Sequence, residues 1–227
     1  SDAAGNTADL ASLTVNASAI ALNGSSTFTT GAQRFSGAIT LGAATTLTGS
    51  TITTTNGSDV AGAGFNLAVV GNASIAGDVS NVSTVNVSGT TRLAANVSST
   101  ANQTYVGAIT LGADATVLTN GSSAVITTTS TVNSDGTARA LVLNASNTSG
   151  RVVVLSALGN SADLASLTVN ATAIAMNGSG VNTVGSQSYS GNITLGNTVT
   201  ARASGANAII TVNNAINSDT AGARGLT

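Results

Sequence analysis

The sequence predicts an all-β chain wound as a parallel β-helix, a β-solenoid built from three similar modules. Three observations predict it. Apolar residues recur every second position rather than at helical spacing, which marks half-buried strands. The same blocks return in the same order, which marks stacked repeats. Aromatic residues make up only 2% of the 227 residues; a narrow solenoid interior suits small and β-branched side chains, whereas a sandwich core draws on large rings.

Taken in order, the first block runs from Gly5 to Ser25 as GNTADLASLTVNASAIALNGS. It returns from Gly159 to Ser179 as GNSADLASLTVNATAIAMNGS, identical at 18 of 21 positions. A shorter copy, VSTVNVSG, spans Val82 to Gly89. Leu13, Val15, Ala17 and Ala19 alternate with Thr14, Asn16 and Ser18, which predicts a strand with the first set turned inward. The second block has the pattern Q-x-[FY]-x-G-x-I-T-L-G, at Gln33 to Gly42, Gln103 to Gly112 and Gln187 to Gly196. It carries every Gln of the chain and three of its five aromatics. Within it Ile39 and Leu41 flank Thr40, as Val85 and Val87 flank Asn86 in the shorter copy. The third block ends in Ser-Asp, at Ser58-Asp59, Ser134-Asp135 and Ser218-Asp219. Asn-Gly at Asn23, Asn56, Asn120 and Asn177 predicts turns. The Gln blocks start 70 and then 84 residues apart, so the connections between strands must vary in length. The modules are expected at 1–76, 77–158 and 159–227, the last truncated, in one continuous solenoid cut from a longer repetitive protein. With roughly 20 residues per coil, the chain makes about 11 coils and a rod on the order of 50 Å.

Composition narrows the chemistry. All six basic residues are Arg, all eight acidic residues are Asp, and there is no His, Cys, Lys, Glu, Pro or Trp. That removes ordinary zinc or iron sites, thiol nucleophiles and a Ser-His-Asp relay. Six scattered Arg in a chain of net charge −2 cannot neutralise a run of phosphates, so no nucleic-acid partner is expected. No apolar run approaches the length of a membrane-spanning helix, and the aromatic girdles of an outer-membrane barrel are missing, so no membrane insertion is expected. Disorder is excluded by a 42% apolar content combined with low net charge.

The blocks ADLASLTVNA, TGAQRFSGAITLGAATTLTGSTITT and NSDTAGARGL resemble the long repeat regions of filamentous-haemagglutinin-like exoproteins, which cross the Gram-negative outer membrane by two-partner secretion. The resemblance covers essentially the whole chain, and the Gln block is its most specific part. It implies a right-handed parallel β-helix, an extracellular location on the outer surface of a Gram-negative bacterium, and a role in adhesion or biofilm or in carrying a distal effector. The secretion-signal domain of that family and any C-terminal toxin or anchor are not in this sequence.

Candidate sites are few. Gln and the aromatic two positions on share a strand face, so Gln33, Phe35, Gln103, Tyr105, Gln187 and Tyr189 are read either as a surface stripe that stacks on a glycan or protein partner, or as core caps whose Gln closes a backbone hydrogen bond. The Asp residues lack the convergence that calcium or glycoside chemistry needs and read as local turn acceptors. Thr-x-Thr elements such as Thr46/Thr48 and Thr127/Thr129 are too unevenly placed for an ice-binding array. Fourteen N-x-S/T tripeptides occur; they are read either as the pattern that a polar outward strand face generates unaided, or as glycan acceptors, of which the Asn-Gly-Ser turns at Asn23, Asn56, Asn120 and Asn177 are the most accessible. No cofactor and no enzymatic activity are expected. The expected partner is a glycan or protein on a host or neighbouring cell, or copies of the same chain stacked end to end in a fibre.

Overall fold

The computed structural model describes residues 8–227; residues 5–7, which open the first block, lie outside them. Among the described residues the named elements are 23 β-strands and no helix, joined by parallel pairings throughout. Each strand pairs with residues one coil away, which usually lie in a non-neighbouring strand. Where a strand is long enough to cover two faces the partner is the next strand in the chain, as Gln33–Leu41 with Thr45–Thr54 and Arg151–Val154 with Ser166–Met176. The chain is therefore a β-solenoid of about ten turns.

Following strand partners from coil to coil gives three columns, one per face of the rod. The first face passes through Leu13, Gln33, Ile52, Ala73, Thr91, Ile109, Val132, Leu158, Val181 and Ala201. The second passes through Ile20, Ile39, Val60, Val79, Val97, Val117, Leu143, Val169, Tyr189 and Val212. The third passes through Thr27, Leu47, Val69, Val87, Tyr105, Thr128, Val154, Met176, Leu195 and Ser218. Most of the apolar members of these columns belong to one core that runs from Ile20 to Val199, with Leu13 and Val212 packed against it. Ten coils at strand spacing make a rod on the order of 45 Å long. A coil takes from 18 residues, Ala73 to Thr91, to 26, Val132 to Leu158, and the difference is absorbed in the turns.

The Gln block is laid out by this geometry. Its Gln and aromatic point inward, its first Gly turns a corner, Ile and Leu point inward on the next face, and Thr faces water. The corner is tight. Gly37 and Gly191 hold φ of +135° and +146°, and a Cβ there would overlap the carbonyl oxygen of Ala17 or Ala171 on the preceding coil. Only glycine accommodates both demands.

One sequence expectation fails at such a corner. Ala17 and Ala19 are exposed, and the inward residues after Leu13 and Val15 are Ile20 and Leu22. The register shifts between Asn16 and Ala19, because Leu13–Leu22 passes from the first face to the second and the inward phase changes at the bend. The homologous strand Ser166–Met176 bends likewise, from the second face to the third, with a shift between Asn170 and Ala173, although there Ala171 stays buried.

The modules turn as they climb. Gln33 stands on the first face, Gln103 on the third and Gln187 on the second. Counting strand positions along the columns, each step from one Gln block to the next passes eleven, which is three full coils and two faces. The step is the same for the 70-residue and the 84-residue interval.

Candidate functional site

The six residues read as a surface stripe are not on the surface. Gln33, Phe35, Gln103 and Tyr105 are fully buried, Gln187 likewise, and Tyr189 is 2% exposed. They also occupy three different faces, so no stripe exists. The alternative reading holds in detail. Each Gln amide donates to two backbone carbonyls, fifteen residues ahead and six behind: Gln33 to Thr48 (2.8 Å) and Thr27 (3.3 Å), Gln103 to Leu118 (2.6 Å) and Val97 (3.4 Å), Gln187 to Arg202 (2.9 Å) and Val181 (3.2 Å). Its Oε1 accepts from the hydroxyl of Tyr105 or Tyr189, each at 2.8 Å. Phe35 has no hydroxyl, and in that module Thr27 Oγ1 donates to Gln33 Oε1 at 2.8 Å instead. Burial pushes both tyrosine phenols well above their ordinary pKa, so they stay protonated donors. This cluster braces the interior and offers nothing to a ligand.

Of the four Asn-Gly-Ser acceptors, Asn23, Asn56 and Asn120 are exposed and Asn177 is half-buried. None of the fourteen sequon asparagines is buried, which follows from the outward phase that Asn and Ser or Thr share at i and i+2.

The Asp residues do something the sequence did not reveal. Asp59 Oδ1 accepts from the Asp78 N–H (2.9 Å), Asp78 Oδ1 from Asn96 (2.8 Å), Asn96 Oδ1 from Thr116 (2.9 Å) and Asp114 Oδ1 from Ala140 (2.9 Å). They form a ladder up the corner that leads into the second face, tying each coil to the next rather than closing a local turn. The periodicity that signals this ladder is one coil, which the unequal turns hide. Asp135 does bind locally, to the Thr137 N–H (3.3 Å). A hydrogen bond from Arg139 (3.2 Å), aided by Arg92 at 3.8 Å, holds its carboxyl below the usual carboxylate range. Among the described residues no three of His, Cys, Asp and Glu gather to hold a metal ion.

The larger open grooves on the outside are polar. One of about 440 Å³ is lined by Ser146, Asn170, Thr172, Ser190, Asn192 and Asn214. Another, about 330 Å³, is lined by Thr51, Asn72, Ser74, Thr90, Arg92 and Thr110. Both present hydroxyls and amides, with one guanidinium in the second; neither pairs a nucleophile with a base. The Thr-x-Thr elements likewise stay dispersed. The outward third-face column through Thr46, Thr104 and Thr127 is interrupted by Ala68, Asn86 and Val153. No helix among the described residues is long and apolar enough to cross a membrane. Comparison with protein-family models, with curated proteins and with solved structures gave no match for this chain.

Proposed function

We propose that this chain is a non-enzymatic shaft segment of a bacterial surface adhesin, serving attachment or biofilm by holding a distal domain away from the cell. The observation that carries this reading is the eleven-strand step. Eleven is not a multiple of three, so each repeat turns its equivalent residues onto a new face. Repetition then builds length and interior bracing and does not accumulate a one-sided binding surface. The resemblance of the blocks to filamentous-haemagglutinin-like repeats supports an extracellular place on a Gram-negative surface, with a host or neighbouring-cell glycan or protein as the partner of the distal domain. Exposed sequons at Asn23, Asn56 and Asn120 fit a glycoprotein; intact mass of host-purified protein equal to the bare polypeptide ends that part of the reading.

A second reading is a fibre subunit stacked end to end. Electron microscopy of the full-length product separates the two. Single rods tethered at the cell support the shaft, and long polymers of repeating segments support the fibre. Turnover of a glycan by this segment alone, lost on changing one Asp, defeats both.

A further inference from the structure

Four turns of this chain carry the same tripeptide, Asn-Gly-Ser, beginning at Asn23, Asn56, Asn120 and Asn177. Local sequence therefore gives all four the same intrinsic reactivity toward loss of the side-chain amide, and any difference between them comes from the fold.

The four environments differ. Asn177 is half-buried, and its amide oxygen occupies the space where Gly196 would carry a Cβ. The amide oxygen of Asn23 lies over Gly42 in the same way. Asn120 is exposed, but its N–H donates to Ser99 (2.9 Å), its Gly121 abuts the Thr100 carbonyl, and Ser123 ties the loop to Thr148 (2.8 Å). Asn56 and Gly57 have none of these restraints. Both are exposed, Gly57 sits at φ +74° with nothing within 4 Å of its Cβ direction, and neither the Asn56 amide nor the Gly57 N–H has a hydrogen-bond partner. The base of this turn is nonetheless firm. Thr55 donates to the Phe35 carbonyl (3.1 Å), Ser58 donates to the Thr55 carbonyl (2.9 Å), and buried Ser58 Oγ accepts from the Gly37 N–H (2.8 Å). A free tip stands on an anchored base.

We propose that Asn56-Gly57 is a site of spontaneous chemical modification in the folded protein, through a cyclic succinimide. The Gly57 nitrogen, losing its proton to solvent base, attacks Asn56 Cγ. The new N–C bond forms, the Cγ–NH₂ bond breaks, and the nitrogen leaves as ammonia after taking up a proton. Solvent water then opens the ring at either carbonyl, giving aspartate or isoaspartate at position 56. The reaction is neither oxidation nor reduction and needs only water and hydroxide. It adds one negative charge to a chain of net charge −2, three residues from Asp59, and it removes the Asn that a glycosyltransferase requires. Because the strands flanking the turn are anchored below it, the coil survives the change.

The test uses the intact 227-residue chain, produced without glycosylation and held at mildly alkaline pH, with peptide mapping of all four sites over time. In the folded protein Asn56 converts first and Asn177 roughly tenfold or more slowly, since Asn177 reacts only through local opening. In urea the four sites converge on one rate. Asn56→Gln abolishes the early acidic form seen by ion exchange. Equal rates at the four sites in the folded chain, or Asn177 converting ahead of Asn56, overturns the proposal.

Discussion

Replacing Tyr105 by Phe tests the interior brace. The change removes one hydroxyl from a fully buried ring, and that hydroxyl donates to Gln103 Oε1 at 2.8 Å. Gln103 cannot turn its amide to compensate, because its Nε2 is committed to the Leu118 and Val97 carbonyls. The acceptor is left buried without a donor, at a cost of about 1–3 kcal/mol. The first module indicates how to restore the balance. There Phe35 is paired with Thr27, six residues before Gln33 and donating to it, whereas Val97 and Val181 stand at that position beside the two tyrosines. Val97→Thr in the Tyr105→Phe background recreates the first module's arrangement and returns most of the loss. Val97→Thr alone destabilises, because its hydroxyl enters a site already satisfied. Stability of the four proteins by urea unfolding, with hydrogen exchange of the Gln103–Tyr105 strand as a local readout, closes a double-mutant cycle with a coupling of about 1–2 kcal/mol. A neutral Tyr105→Phe, or a double variant no better than additive, refutes the brace.

Further outcomes follow from the same interior. Ile109 is 4% exposed between Thr91 and Val132, so Ile109→Asp costs several kcal/mol, of order 3 or more. Exposed Thr110 tolerates the same change, and equal losses in thermal melts contradict the alternation. Thr128 Oγ1 is buried with no hydrogen-bond partner, between Tyr105 and Val154 in its column. Thr128→Val removes that orphan and gains about 1 kcal/mol in urea unfolding; a loss means that a partner exists. The two buried tyrosines are acids whose folded pKa is raised. Their contribution is therefore intact below the unfolded value of about 10 and is lost as pH climbs above it, when the unfolded chain releases protons that the folded chain retains. Phenolate absorbance should appear only together with unfolding, and ionisation of a still-folded chain contradicts the burial.

Much of this fold was legible in the sequence because a strand face imposes its period on neighbouring residues. Ile39, Leu41, Val85 and Val87 point inward as their alternation requires, and the repeated Gln and aromatic marked a repeated structural need. What stayed hidden depends on corners. The slip between Asn16 and Ala19 reverses the inward phase inside one unbroken alternating stretch, so Ala17 and Ala19 looked like core. The three-faced cross-section and the eleven-strand step need the turns to be counted out, and turns of unequal length conceal both the coil period and the Asp59, Asp78 and Asn96 ladder. Gln33 and Phe35 could be read as stripe or core from spacing alone, since two residues on one strand face look the same from either side. Depth decides between them.

The shaft reading is tested most directly by shortening the shaft. Excising residues 103–186 from the full-length protein joins Asn102 to the Gln187 block, a unit that already packs on each of the three faces. The excision removes eleven strand positions, about 18 Å of rod, and leaves the strand sequence around the coil unbroken. Attachment of cells displaying the shortened protein, scored beside tomography of the projection length, is the measurement. A projection shorter by that amount with attachment retained is the predicted result. Loss of attachment by a correctly displayed, shortened rod would show that this segment itself holds the ligand.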